Sequence, residues 1–240
     1  MLLLRVQASA RPDELGTPAL KARGDSAAQE YLNERLRRDW PGDAILSEEA
    51  PDTAERLRSR RVWIIDPLDG TREFSEGRQD WAVHVALWED GELAAGAVAL
   101  PGLGMVLSSV DATPTVSRPD RIRLAVSRSR PPEVVEYLAK VLDLELVAMG
   151  SAGFKTTAVV RGDVDAYVHS GGQYEWDSAA PVAVARGAGL FTSRIDGSPL
   201  RYNQPNPYLP DLLVCDPANA DALLGAINVF LKEDARDRDS

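Results

Sequence analysis

An uninterrupted apolar run, Val62-Trp-Ile-Ile65, that stops on Asp66-Pro-Leu-Asp69-Gly-Thr71 constrains this 240-residue chain more than any other feature. The run reads as a buried strand. Pro67 fixes one φ and removes an N–H, so a tight turn is expected to aim Asp66 and Asp69 at one point, with the Leu68 carbonyl facing it too. Gly70 permits close backbone approach, and the amides of Gly70 and Thr71 are placed to cradle an anion. Two carboxylates and a carbonyl are hard oxygen ligands, the donor set of a Mg²⁺ site that keeps waters and takes substrate phosphate oxygens. An ordinary strand-to-turn exit would use the same residue types. Two further segments weigh against it. Ser47-Glu48-Glu49 also follows a short apolar strand, Ala44-Ile-Leu46, and Trp176-Asp177-Ser-Ala-Ala180 places an acid at the start of a small-residue helix.

Composition narrows the chemistry. With 27 Lys and Arg against 37 Asp and Glu, the formal charge is −10, which argues against a nucleic-acid-binding surface. Anionic small molecules stay open, because a bound metal inverts the local sign. The single Cys215 excludes an internal disulfide and fits a reducing, cytoplasmic setting. Only His84 and His169 are present, so a His-rich zinc site is excluded and carboxylates must carry any polar chemistry. The opening Met1-Leu-Leu-Leu4 is too short for a signal or membrane segment and reads as the end of an amphipathic helix, with Leu3, Leu4 and Ala8 inward.

Along the chain, Asp25 is expected to cap a helix over 26–39 with Ala28, Tyr31, Leu32 and Leu36 on one face. Strands are expected over 81–88 and 93–100, joined at Asp90-Gly91, and over 104–108. The turn-rich stretch 111–119 divides the chain into 1–115, carrying most metal-binding motifs, and 116–240, which adds Asp177. Beyond it, strands over 122–126, 145–148, 165–168 and 212–214 and from Leu190 alternate with helices over 131–142, 154–161, 177–188 and 218–232. This order reads as α+β or α/β. The tail from Glu233 is charged and expected to fray.

The blocks Ser47-Glu48-Glu49, Trp63-Ile-Ile-Asp-Pro-Leu-Asp-Gly-Thr71 and Trp176-Asp177-Ser-Ala-Ala180 resemble the inositol monophosphatase superfamily of Mg²⁺-dependent, lithium-sensitive phosphatases. Thr71-Arg-Glu-Phe74, Val126-Ser-Arg-Ser129, Gly150-Ser-Ala-Gly-Phe-Lys155 and Asp196-Gly-Ser-Pro-Leu-Arg-Tyr-Asn203 are most similar to its CysQ-type 3′(2′),5′-bisphosphate nucleotidases, in their actinobacterial form. The resemblance implies an α+β fold, a layered αβαβα sandwich. It implies one Mg²⁺ held by Glu48, Asp66 and the Leu68 carbonyl, a second held by Asp66, Asp69 and Asp177, and a third beside Asp25. Relatives usually carry Thr-x-Ala-Asp where this chain has Ala22-Arg-Gly-Asp25. Thr71 would position the attacking water together with Glu48, making Glu48, Thr71 and Asp66 the catalytic group. Phosphoryl transfer is mostly positioning and charge stabilisation, which suits such a cluster.

Substrate contacts are expected from Asp69, Gly70, Thr71, Ser151, Lys155, Arg128 and Asp177, with Lys155, Arg128 and Arg72 suited to a second, non-transferred phosphate. Inositol phosphatases of the family carry Glu seven residues before the Trp-Asp aspartate. Here that residue is Ser170, followed by Gly171-Gly172, which are expected to open room for a larger leaving group. His169 is expected to pack or hydrogen-bond near the site, His84 to be structural, and Tyr174 or Trp176 to border an adenine pocket. The implied reaction is removal of the 3′-phosphate of adenosine 3′,5′-bisphosphate (PAP), and of its sulfated form PAPS, within sulfate assimilation. The alternatives are a broader inositol monophosphatase or fructose 1,6-bisphosphatase, and a catalytically silent ligand-binding member of the fold. The implied partner is a small phosphorylated nucleotide, with no nucleic acid and no membrane. Both monomer and homodimer are open.

Overall fold

The computed structural model describes residues 2–114, 121–128 and 131–238. Among the described residues, seven α-helices and ten strands are arranged in five layers. One outer layer holds α1 (Leu2–Ala8), α2 (Pro18–Asp39) and the short α3 (Thr71–Ser75). The first sheet, in spatial order, is β1 (Ala44–Ser47), β2 (Arg61–Asp69), β3 (Ala82–Glu89), β4 (Glu92–Leu100) and β5 (Met105–Ser108). A middle layer of α5 (Ala152–Arg161) and α6 (Glu175–Gly187) packs between the sheets. The second sheet has the order β7 (Leu144–Met149), β6 (Ile122–Ser127), β8 (Ala166–Tyr174), β10 (Tyr208–Cys215) and β9 (Phe191–Ser193). Its other face is covered by α4 (Glu133–Val141) and α7 (Pro217–Arg238). The expected αβαβα layering is therefore the observed one. The expected division at 115/116 lies outside the described residues, as do Ser129 and the last two residues of the tail. Within the described part the tail is helical to Arg238.

The core explains the layering. Val62, Ile64, Ala86 and Val98 of the first sheet meet Ala179, Ala180 and Val182 of α6, and Tyr167, Leu212 and Val214 of the second sheet close the same cluster. α6 sits close because its inner face is alanine, and because β4 presents Gly96, where a Cβ would lie 2.6 Å from that of Ala183. The Asp90-Gly91 turn has positive φ at both residues (50° and 102°), as the sequence pair predicts for a two-residue hairpin.

Three differences from expectation bear on how the elements pack. At the start of the chain, Leu3 is buried while Ala8 is exposed, and Leu4, Val6 and Ala10 make the packed side. α2 begins at Pro18, with the Thr17 hydroxyl accepting the Leu20 N–H at 3.3 Å, so Asp25 lies mid-helix and caps nothing. Pro at the first helical position and a Thr cap are ordinary start signals, and Gly24 lies inside the helix they open, where glycine ordinarily weakens it. Gly24 instead serves packing. A Cβ there would sit 2.6 Å from Phe74 Cε1 and 2.7 Å from Leu68 Cδ2, so only glycine lets α2 lie against the end of β2. Gly24→Ala is expected to destabilise the chain by about 1–3 kcal/mol through overpacking, read as a lowered melting temperature. An unchanged melting temperature would show that Phe74 yields freely.

The third difference is β8, which runs on through Ser170-Gly-Gly-Gln-Tyr174. Asp211 pairs with Ser170 while Leu209 pairs with Gln173, so β8 carries one extra residue at the glycines, which adopt φ of 111° and 91°. A side chain at Gly172 would strike the Tyr208 hydroxyl. The glycine pair thus builds a bulge and admits Tyr208.

Candidate active site

β2 does not end at Ile65 but continues through Pro67 to Asp69. Asp66 pairs with His84 and Asp69 with Ala82, so three steps along β2 match two along β3. In a regular strand, residues an odd number apart face opposite sides. The bulge, placed where Pro67 has no N–H to pair, turns Asp66 and Asp69 to the same side. The expected tight turn is thus a bulge followed by Gly70 in the left-handed region (φ 87°), after which Thr71 starts α3. Asp66 Oδ1 accepts the Leu68 N–H at 3.0 Å, and the Thr71 hydroxyl lies 3.0 Å from the Leu68 carbonyl and 3.3 Å from Asp25 Oδ1. β1 runs parallel to β2 with Ser47 opposite Ile65, which brings Glu48 to the same sheet edge as Asp66.

The middle layer closes the cleft. At the start of α5, the Ser151 hydroxyl and the Gly153 N–H donate to Asp69 Oδ2 at 2.5 and 2.6 Å, while the Ala152 N–H reaches Oδ1 at 3.2 Å. Oδ1 therefore keeps the freer lone pairs. Burial alone would raise Asp69; the His84 ring beside it, the Ser151 hydroxyl and the Gly153 amide outweigh burial and lower it to about 2. At the start of α6, Asp177 accepts the Tyr174 N–H at 2.6 Å and is pushed up to about 6 by burial and by Asp69.

The remaining acids are raised as well. Glu48 is pushed to about 7, first by burial of its carboxyl group and then by Asp177, Glu49 and Asp69. Asp66, 1% exposed, is raised well above the usual range by burial and by Asp69, Glu48 and Asp177. Asp25 is raised to about 6 by burial and by Glu49. Such a cluster holds protons at neutral pH unless a cation replaces them. Its donors are carboxylate and carbonyl oxygens from four elements, and this hard set fits a divalent ion of the Mg²⁺ type.

The arrangement includes one residue that sequence reasoning set aside as structural. His84 is fully buried, with Nε2 3.2 Å from Asp69 Oδ2 and Nδ1 3.0 Å from the Trp176 carbonyl. Among the described residues, the group of three or more candidate ligand side chains whose atoms all lie within 4.8 Å of one another is Asp66, Asp69 and His84, and Glu48 and Asp177 fall outside it. Burial disfavours its charged form, but the Asp69 carboxylate outweighs burial and raises it. Strand alternation shows which face His84 occupies; only the register shows that its opposite number is Asp66.

The expected substrate contacts are placed unevenly. Ser151 is spent on Asp69. Lys155 is buried, its ammonium donating to the Ser151 carbonyl at 2.7 Å and lying 5.1 Å above the Tyr167 ring, and burial lowers its pKa. Arg128 is ion-paired to Glu73 and Glu76, each at 2.9 Å, and Arg72 to Glu76 at 2.9 Å. His169 makes the expected supporting contacts, to the Tyr167 hydroxyl at 3.2 Å and the Gly172 carbonyl at 3.0 Å. Tyr174 stacks on Trp176 with centroids 4.7 Å apart.

Comparison with known proteins agrees with this geometry. Residues 18–228 match the model of the inositol monophosphatase family. A Mycobacterium tuberculosis protein named 3′-phosphoadenosine 5′-phosphate phosphatase is 52% identical over 236 residues, covering 94% of this chain and 88% of that one. The Escherichia coli 3′(2′),5′-bisphosphate nucleotidase CysQ is 31% identical over 198 residues, covering 77% and 80%. The crystal structure of CysQ from Bacteroides thetaiotaomicron superposes with a TM-score of 0.76 at 25% identity, covering 89% of this chain and 91% of that one. No helix among the described residues is long and apolar enough to cross a membrane. The chain is an enzyme of the phosphatase class and belongs to the inositol monophosphatase family.

Proposed function

We propose that this enzyme is a Mg²⁺-dependent phosphomonoesterase that removes the 3′-phosphate of adenosine 3′,5′-bisphosphate, giving AMP and phosphate. The observation that carries the reading is the convergence of Glu48, Asp66, Asp69 and Asp177, from the turn after β1, from β2 and from α6, on one cleft beside Thr71. The names of the relatives at 52% and 31% identity point to the same substrate class.

In this reading Glu48, Asp66 and the Leu68 carbonyl hold one Mg²⁺, Asp66, Asp69 and Asp177 a second, and Asp25 lies beside a third. When bound, these ions neutralise the phosphate, make water more acidic and stabilise the departing oxygen. The two halves, 1–115 and 116–240, each supply part of the set. Thr71, fixed between the Leu68 carbonyl and Asp25, orients the attacking water together with Glu48. Water attacks phosphorus from one side, the bond to the ribose 3′-oxygen breaks on the other, and that oxygen leaves with a proton as the AMP hydroxyl.

The nucleoside of the leaving group is proposed to extend toward a cavity beside β8 that none of the cleft acids lines. This cavity, of about 480 Å³, is lined by Ser127, Pro132, Glu133, Tyr167, His169 and Ser170. It is roomy enough for a nucleoside, and Ser170 offers no carboxylate for inositol hydroxyls. Lys155, its ammonium 5.1 Å above the Tyr167 ring, is proposed to face the second phosphate. The test is a comparison of kcat/KM for adenosine 3′,5′-bisphosphate, inositol 1-phosphate and fructose 1,6-bisphosphate at saturating Mg²⁺. The nucleotide is expected to lead; a lead for inositol 1-phosphate would refute the assignment. Lithium is expected to inhibit in the same assay.

A further inference from the structure

Outside the cleft, a buried ionic network ties two of its walls together. Arg56 lies in the segment that follows Glu48-Glu49, and only 2% of it is exposed. Its Nε and Nη2 donate to Asp52 at 2.7 and 2.9 Å, its Nη1 to Asn203 Oδ1 at 2.7 Å, and its Nη2 also to the Gln204 carbonyl at 2.8 Å. The other side of the same two residues is taken by Glu175, which is 1% exposed. Its carboxylate accepts the Asn203 N–H at 2.6 Å and the Gln204 N–H at 2.7 Å. Asn203 is held in the left-handed region, φ 58°, which costs a non-glycine residue free energy unless its surroundings impose it. The oxygens of this short loop thus belong to Arg56 and its amides to Glu175.

Both anchors stand close in sequence to an acid of the cleft. Glu175 opens α6 two residues before Asp177, and the 3-10 turn holding Arg56 (Ala54–Arg58) follows the loop that carries Glu48. Carboxylates of like charge brought into one buried cleft repel one another, so Glu48 and Asp177 need support from outside the cleft to stay together. Burying an Arg and a Glu adds little to stability compared with apolar packing of the same volume, but it fixes geometry.

We infer that Arg56 and Glu175 are positioning residues that lock the Glu48 segment to the Asp177 helix through residues 203–204, so that both carboxylates serve one cation centre. The inference rests on the reading of the carboxylate cluster as a divalent-cation centre. Neither residue touches substrate.

The test uses Arg56→Met, which keeps the buried volume, and Asn203→Gly, which keeps the left-handed turn and deletes one anchor. Mg²⁺ affinity of the substrate-free protein is measured by calorimetry, alongside the melting temperature with and without Mg²⁺. Both variants are expected to bind Mg²⁺ roughly tenfold or more weakly; Arg56→Met also melts lower without metal, because Asp52, Asn203 and the Gln204 carbonyl lose their donor, whereas Asn203→Gly stays close to wild type. Arg56→Lys, a single-point donor, is expected to restore part of the affinity. Wild-type Mg²⁺ affinity in both variants overturns the inference, as does an affinity loss in Asn203→Gly matched by a loss of its metal-free stability. If the unaltered protein binds no Mg²⁺, the cation centre and the inference fall together.

Discussion

An Asp69→Asn chain is expected to fold and to hydrolyse its 3′-phosphate ester at least about a thousandfold more slowly than the unaltered enzyme. The asymmetry of the Asp69 contacts explains why. Oδ2 takes the Ser151 hydroxyl and the Gly153 amide, while Oδ1 has only the long Ala152 contact. An amide can keep its oxygen toward Ser151 and Gly153 and so preserve the start of α5. Its NH₂ then replaces the oxygen offered to the cation, turning an attraction into a repulsion. Asp69→Ala removes both halves and leaves the Ser151 and Gly153 donors unpaired, which adds about 1–3 kcal/mol of destabilisation. Steady-state kinetics over a Mg²⁺ titration, with melting curves for both variants, separate the effects. Full turnover in Asp69→Asn would rule out Asp69 as a cation ligand.

The second large effect concerns pH and metal together. Asp66, Glu48, Asp177 and Asp25 are all raised, to about 7 for Glu48 and about 6 for Asp177 and Asp25. Their ordinary values are 3.8 for Asp and 4.5 for Glu. Between those values and the raised ones, the folded metal-free protein holds more protons than the unfolded chain. Its stability therefore falls as pH rises from about 5 to 8. A bound cation needs the same carboxylates ionised, so Mg²⁺ affinity rises over the same interval and binding releases protons. At a hundredfold excess over its dissociation constant, the ion adds about 2.7 kcal/mol, a rise in melting temperature of about 5–10 °C for a chain of this size. Melting curves at pH 5 and pH 8, with EDTA or with Mg²⁺, are expected to show opposite pH trends. Parallel trends would mean that the acids are not a cation site. EDTA is also expected to abolish turnover, and added Mg²⁺ to restore it.

The acids of the cleft were legible because each ends or begins an apolar element, and composition left little else to do polar chemistry. The parallel pairing of β1 with β2 carries Glu48 to Asp66, and no local pattern encodes it. Gly24 draws no structural reading and the Gly171-Gly172 pair reads as room for a leaving group, yet the first sits inside a helix and the pair inside a strand, each for a tertiary reason: contact with Leu68 and Phe74, and room for Tyr208. His84 was missed because alternation gives a face and not a partner. Arg56 was missed because a lone charge in a charge-rich stretch looks solvated, and only a loop 147 residues away makes it otherwise. Lys155 and Arg128 were found by type, but ion pairs and burial had already engaged them.

The middle helical layer has a consequence for how the enzyme is made. The first sheet is complete in sequence by Ser108, but the helix that covers its Val62, Ile64, Ala86 and Val98 face begins only at Glu175. On a translating ribosome at about 5–20 residues per second, that apolar face waits for a matter of seconds for its cover. Until then the nascent chain has Asp66 and Asp69 but no Asp177, and so a sticky, inactive intermediate. Chaperone engagement during synthesis, rather than the stability of the finished enzyme, is where core substitutions on β2 to β4 would first be felt.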